Sequence, residues 1–342
     1  SNNTITSGTT TGAGGNSFGS GIQLFAGGVA SSVASVTRAE LNNNTITNFP
    51  GGVAMALQGG TSNNSGPVGT FGNPTSATDD IEVQNNILNG GGTTPNGAGG
   101  VILPNQVVLA TVNGKGVGNF NIRNNGTVAD PLSGSAGNII DISAGGAVTV
   151  KAVVSGNNID AAGQTVSGTS GIAAGVGPFT VTGPVTLSTA KLYATVQNNT
   201  IKNSAGSGIR LNVNAGSPSL FGTVTANTVG APISATYGIQ VVQGSNAGST
   251  LTTDLQIQNN TSTGGTGGGN TFPGIGLRKL GTATGEFAIV GLTPSPATNA
   301  QMEANVAGQN PGSASGTFGT GGVAAVNGTS NNWTSIGSIP TP

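Results

Sequence analysis

The sequence contains neither histidine nor cysteine among its 342 residues. Without histidine the chain cannot form a Ser-His-Asp triad, and it has no imidazole to serve as a general base or a metal ligand. Without cysteine it has no disulfide, no thiolate metal site and no cysteine nucleophile. Carboxylates are therefore the main candidate catalytic groups that remain.

Charged residues are also scarce, at 6% of the chain with a formal net charge of −1, against a usual charged share of about 25%. This balance offers no basic surface for nucleic acid, so we expect no nucleic-acid partner. The sequence has no run of about 18 apolar residues, so we expect no membrane span. Aromatic residues make up only 4%, which does not indicate an extended cleft for stacking sugars. No signal-peptide pattern precedes the first repeat, so we expect any secretion signal to lie outside this sequence.

A repeated unit is present instead, and its clearest copy is 191–216. Leu192, Ala194 and Val196 alternate with polar residues, as in a half-buried strand. The pair Asn198-Asn199 ends this strand, since asparagine tolerates the left-handed backbone of tight turns. The segment 208–213 then alternates again. One such unit cannot bury its apolar side alone, so it requires copies above and below it.

The copies recur at steps of about 29 to 42 residues, the range typical of stacked repeats. Their periodic Ile, Val and Leu positions argue against a disordered chain, although the 62 glycines would suit one. The second half of the unit recurs as Gly-Ile-x-Leu or a close variant, beginning at Gly21, Gly52, Gly100, Gly171, Gly208, Gly238 and Gly274.

This pattern resembles the coil of right-handed parallel β-helices, the fold of pectate lyases, tailspikes and large secreted bacterial surface proteins of the adhesin type. The resemblance implies an all-β, single-stranded solenoid of about eight coils, in which asparagines stack as an internal ladder. It covers roughly residues 1–290. The ladder candidates are Asn43, Asn44, Asn85, Asn86, Asn124, Asn125, Asn157, Asn158, Asn198, Asn199, Asn227, Asn259 and Asn260.

Residues 291–342 differ from the repeat and are expected to form a C-terminal cap or tail. Alanines at three- and four-residue spacing predict a short helix over Pro296–Ala307, with Ser295 as its cap and Gly308 and Pro311 as stop signals. A last strand is expected near 321–326, and it could pair between molecules.

The other candidate sites favour ordinary structural roles. Asp79, Asp80 and Glu82 form the only acidic cluster, and carboxylates can serve lyases or hydrolases of this fold, often with calcium. An ordinary, solvent-exposed start of a strand explains these three residues better. Residues 114–118 lack the spacing of a nucleotide loop, and the glycine run 264–270 lacks the aspartates of a calcium turn. We expect no catalytic residue, no cofactor and no metal site.

Three functions remain open. We favour a non-catalytic, extracellular structural protein of the bacterial cell surface, which assembles head to tail with itself into a filament or fibre. The expected assembly residues are Asn2, Asn3, Ile5, Val323 and Val326, because uncovered end coils recruit other strands. The alternatives are a carbohydrate-binding or adhesive module of a larger surface protein and, less favoured, a polysaccharide lyase or hydrolase. A row of exposed aromatic residues would favour the carbohydrate module, and facing acidic and basic clusters would favour the enzyme.

Overall fold

The fold is the parallel β-helix that the repeat predicts. The computed structural model describes residues 2–6, 20–26, 33–47, 53–59, 68–92, 96–98, 101–103, 106–164, 168–177, 188–244, 249–280, 285–318, 322, 324–328 and 333–342. Each coil contributes strands to three parallel sheets, here named faces A, B and C. Apart from two short hairpins, the strands pair in parallel with their equivalents in neighbouring coils, so the stack has one direction throughout.

Face A consists of the strands that lead into the asparagine turn. They are Ala39–Asn42, Ile81–Gln84, the C-terminal parts of Val108–Arg123 and Ile140–Ser155, Lys191–Gln197, Ser219–Thr225, Thr252–Gln258, Phe287–Val290 and Thr334–Ile336. Leu192, Ala194 and Val196 point inward and are buried, as the period of two requires.

Face B follows the turn and is short. Its strands are Thr4–Thr6, Thr45–Thr47, Ile87–Gly92, Ser133–Ser135, Asn158–Asp160, Thr200–Lys202, Thr228–Val229 and Thr261–Ser262. The two halves of this face are joined by a parallel bridge between Leu132 and Ile159. The repeat predicts that the isoleucine after each asparagine turn is buried, namely Ile46, Ile87, Ile159 and Ile201. Three of them are buried, but Ile87 is only half-buried because Leu88 takes the inward position beside Ile46.

Face C carries the Gly-Ile-x-Leu half of the repeat. Its strands are Ser20–Ala26, Val53–Gly59, the N-terminal parts of Val108–Arg123 and Ile140–Ser155, Ile172–Val176, Ile209–Val213, Ile239–Gln243, Ile275–Lys279 and Ala324–Gly328. The interpretation of Gly100–Leu103 as a copy is wrong. Val101–Leu103 pairs antiparallel with Asn96–Ala98 in a hairpin, and Val108 onward supplies the stacked strand.

Faces C and A are joined by a corner in which Val33–Val36 pairs with Val68–Phe71, and Val68–Phe71 in turn pairs with the middle of the long strand Val108–Arg123. The glycines at 114–118 lie within the strand Val108–Arg123 and let it bend at this corner. Gly116 has a φ of +129°, and a Cβ there would lie 2.1 Å from the carbonyl oxygen of Gly69. The glycine run at 264–270 forms a second hairpin, Thr266–Gly267 with Asn270–Thr271.

One helix, Asn299–Gln309, interrupts the stack near its C-terminal end. Thr298 is its N-cap and forms a capping box with Gln301, so the helix begins and ends slightly later than the sequence predicts. Met302 and Val306 are fully buried against the core. No helix in the described residues is long and apolar enough to cross a bilayer.

Candidate functional site

The asparagine ladder begins at Asn3, which is exposed, and runs through the interior from Asn44 to Asn310. In each rung before the last, the backbone N–H and the side-chain Nδ2 donate to Oδ1 of the asparagine in the next coil, at 2.8 to 3.2 Å. The rungs are Asn3, Asn44, Asn86, Asn125, Asn157, Asn199, Asn227, Asn260 and Asn310. From Asn86 onward, Nδ2 also donates to a face A carbonyl oxygen, as Asn199 does to Val154.

The two members of each predicted pair have different roles. The second asparagine is usually the buried rung, whereas the first is exposed with a positive φ, as at Asn43, Asn85, Asn124, Asn198 and Asn259. Asn157-Asn158 is shifted by one residue. Gly156 takes the left-handed position there, so Asn157 is the rung and Asn158 begins a face B strand.

Two rungs were missed by the sequence reading. Asn3 belongs to the ladder as well as to the end coil, where we expected it to serve assembly. Asn310 is the C-cap residue of the helix and has no alternating strand before it, which is why the repeat pattern does not reveal it. Its backbone N–H donates to Ala307, and its Nδ2 donates to Val306 and Ile257. The helix therefore ends the ladder.

The remaining assembly candidates lie in end coils. Asn2 has a φ of 62° and donates its N–H to Asn42, and Ile5 is in register with Ile46. Val326 pairs with Leu277 of the same chain. Val323 lies outside the described residues.

The acidic cluster is engaged in contacts on the outer side of face A. Glu82 forms an ion pair with Arg123 at 2.9 Å and accepts a hydrogen bond from Asn42. Asp80 accepts one from Asn121 at 3.0 Å. These contacts are those of a surface network, and among the described residues no group of three acidic side chains could hold a metal ion.

A groove lies further along the same outer surface. Its floor contains Lys151, and the rings of Tyr193 and Phe221, which stack with centroids 4.5 Å apart. One wall is a loop that contains Pro74 and Thr75. Asn119 holds this loop in place, since its Nδ2 donates to the carbonyl oxygens of Asn73, Ser76 and Asp79 at 2.9, 3.2 and 3.1 Å.

The opposite wall is formed by residues 339–342, and the half-open groove has a volume of about 430 Å³. Thr195 and Thr223 add hydroxyl groups to the floor. Near the groove, in the coil after Phe221, lies Asp254, which is only 8% exposed although it is on the outer side of the sheet. Desolvation, aided by the charge of Glu286, raises the pKa of Asp254 to about 6.

Comparison of the chain with protein-family models, with curated proteins and with solved structures found no match.

Proposed function

We propose that the chain is a non-catalytic, extracellular structural protein that assembles head to tail into a surface filament. One observation carries the proposal: a parallel strand of face C is the outermost described strand of that face at both ends of the stack. Ser20–Ala26 is the outermost described strand of face C at one end and Ala324–Gly328 at the other. Strands of equal direction can pair across a junction as they do between coils.

The charge distribution supports the same function. Arg38, Arg123 and Lys202 form ion pairs with carboxylates of neighbouring residues or coils, and the net charge is only −1. Little long-range repulsion therefore opposes the approach of many copies. The carbohydrate-binding alternative has less support, because residues 339–342 line the same groove as the outward aromatic pair.

The ladder limits what the junction can contain. The donors of Asn310 are already used within its own helix and by Ile257. A second copy would therefore be held by strand edges, and the ladder would not continue across the junction.

Like and opposite charges, introduced at two positions that would face each other, test the junction. Gln23 and Ala325 occupy the same register position of face C, which passes from coil to coil through Ala56, Leu109, Asp141, Ala173, Arg210, Gln240 and Gly276. In a filament Ala325 of one copy would lie opposite Gln23 of the next. The double variant Gln23→Lys/Ala325→Lys should abolish fibres in negative-stain images, and Gln23→Lys/Ala325→Glu should restore them.

Melting temperatures of both variants equal to that of the unaltered protein would show that neither has lost the fold. Isolated rods of the unaltered protein at all concentrations, or fibres of the double lysine variant equal to those of the unaltered protein, would refute head-to-tail assembly.

A further inference from the structure

The groove floor is part of a column on the outer side of face A. Successive members of this column are in register from coil to coil: Lys151, Tyr193, Phe221, Asp254, Ala288 and Thr334. Among the described residues, Lys151 forms no ion pair. The column is therefore a continuous strip with an aromatic centre, and nothing in the established ladder or core requires that centre to be aromatic.

Residues 337–342 return along this strip. They leave the last face A strand at Ile336 and reach Tyr193, which lies four coils away, or about 19 Å at the usual strand spacing. A fully extended segment of this length spans about 20 Å. The segment is therefore extended and runs against the direction in which the coils succeed one another.

The segment is held weakly. Among the described residues, none of 337–342 takes part in a hydrogen bond. Ile339 and Pro342 are half-buried, whereas Pro340 and Thr341 are exposed. Apolar contact is thus the main attraction, and local release of such a segment costs little free energy. Its two prolines favour the extended conformation that aromatic grooves bind at low entropic cost.

We propose that the face A groove is a docking site for this proline-containing segment and that it also receives residues 337–342 of a second copy. Exchange of the segment would link two molecules side by side, because an identical segment fits an identical groove. The link between strand and segment permits this, since Gly337 is exposed and has no neighbouring atoms within 4 Å of the position of a Cβ. The inference goes beyond head-to-tail assembly and does not depend on it.

Complementary variants test the exchange. One variant lacks residues 337–342, and the other keeps them but carries Tyr193→Ala/Phe221→Ala in the groove. Both also carry Gln23→Lys/Ala325→Lys, so that end-to-end contact does not interfere. Each variant alone should sediment as a monomer, and the equimolar mixture should contain a 1:1 complex whose fraction rises with concentration.

A peptide with the sequence of 337–342 provides the second measurement. The tethered segment acts at an effective concentration of about a millimolar, so its removal should tighten peptide binding about tenfold or more. Titration calorimetry should show this gain in the shortened variant and its loss when Phe221→Ala is added. Phe25→Ala is the matched control, because Phe25 is 57% exposed on face C, away from the groove.

The variant Ile339→Asp should release the segment without shortening the chain. It replaces the shortened variant in these measurements if that form does not fold. Absence of both the mixed complex and peptide binding in folded variants would overturn the proposal. Binding of a neutral oligosaccharide in place of the peptide would also overturn it and would assign the groove to sugars.

Discussion

From Asn86 to Asn310, each ladder asparagine satisfies its whole side chain inside the core. Asn199 donates from its backbone N–H and Nδ2 to Asn227 at 3.0 Å, and from Nδ2 to the carbonyl oxygen of Val154 at 2.9 Å. Its Oδ1 accepts two bonds from Asn157. A buried amide is tolerated here because no donor or acceptor is left without a partner.

Replacing a rung should therefore destabilise the protein. Asn199→Ala should lower the free energy of unfolding by about 1–3 kcal/mol, because Asn157 loses its acceptor and Asn227 a donor. Asn198→Gly is the matched control: Asn198 is exposed at a φ of 56°, and glycine occupies the same position at Gly156. Chemical denaturation measures both, and equal stability of the two variants would contradict the ladder.

Asp254 makes stability depend on pH. Its pKa is raised from 3.8 to about 6 by desolvation, so the folded protein disfavours the ionised carboxylate. The resulting destabilisation is present above pH 6, declines as the pH falls, and is absent below the unfolded pKa. Asp254→Asn should therefore raise the melting temperature at pH 8, and the gain should vanish near pH 4. The exposed loop carboxylate Asp130, changed to Asn, serves as the control. A gain for Asp254→Asn that is independent of pH would contradict this account.

Much of the ladder could be predicted from the sequence, because an asparagine pair after an alternating strand is a local signal. The choice of rung within a pair could not. It depends on which residue takes the left-handed turn, and at 156–158 a glycine takes it. Ile87 was misplaced for a similar reason, since the sequence does not reveal which of two adjacent apolar residues faces inward.

At the scale of elements, the helix Asn299–Gln309 does more than cover the end of the core. It lies between the face A strand Phe287–Val290 and the rung, which elsewhere follow one another directly, and it positions Asn310 to accept from Asn260 at 3.0 and 2.9 Å. Alanine spacing predicted the helix, but the connection to the ladder depends on contacts with residues about 50 positions earlier.

Removing this last rung should be costly although it lies outside the repeats. Asn310→Ala should destabilise the protein by about 1–3 kcal/mol, since the buried N–H of Asn260 loses its only acceptor and its Nδ2 loses one of three. Thr298→Ala, which removes the capping box at the other end of the helix, should cost about 1 kcal/mol. Thermal melting of the two variants compares them. A smaller effect for Asn310→Ala than for Thr298→Ala would show that the helix, and not the ladder, determines stability at this end.

At the scale of the whole molecule, the groove could not be predicted from the sequence. Tyr193 and Phe221 become neighbours only through the register of two coils, and residues 339–342 reach them from a strand four coils away. The repeat can be recognised from the sequence, whereas the groove depends on the contact of residues 339–342 with the outer side of face A.

Assembly should be nearly independent of salt. The junction we propose consists of strand edges, and screening affects mainly exposed charges. Light scattering of the unaltered protein should give the same assembly from 0.05 to about 1 M NaCl, whereas the double lysine variant should recover some assembly as its repulsion is screened. Loss of fibres of the unaltered protein at high salt would point to a junction made of ion pairs.

The ladder also has an electrical consequence. All of its side-chain amides point the same way, with N–H groups toward the C-terminal end and carbonyl oxygens toward the N-terminal end. The rungs are therefore aligned dipoles in series. Each hydrogen bond polarises its neighbours and strengthens them by on the order of 10–30%. Removal of an asparagine from the middle of the ladder divides the row of dipoles into two shorter rows. Removal of one near an end leaves the row almost complete. The same Asn→Ala change should thus weaken the molecule more at Asn157 than at Asn44.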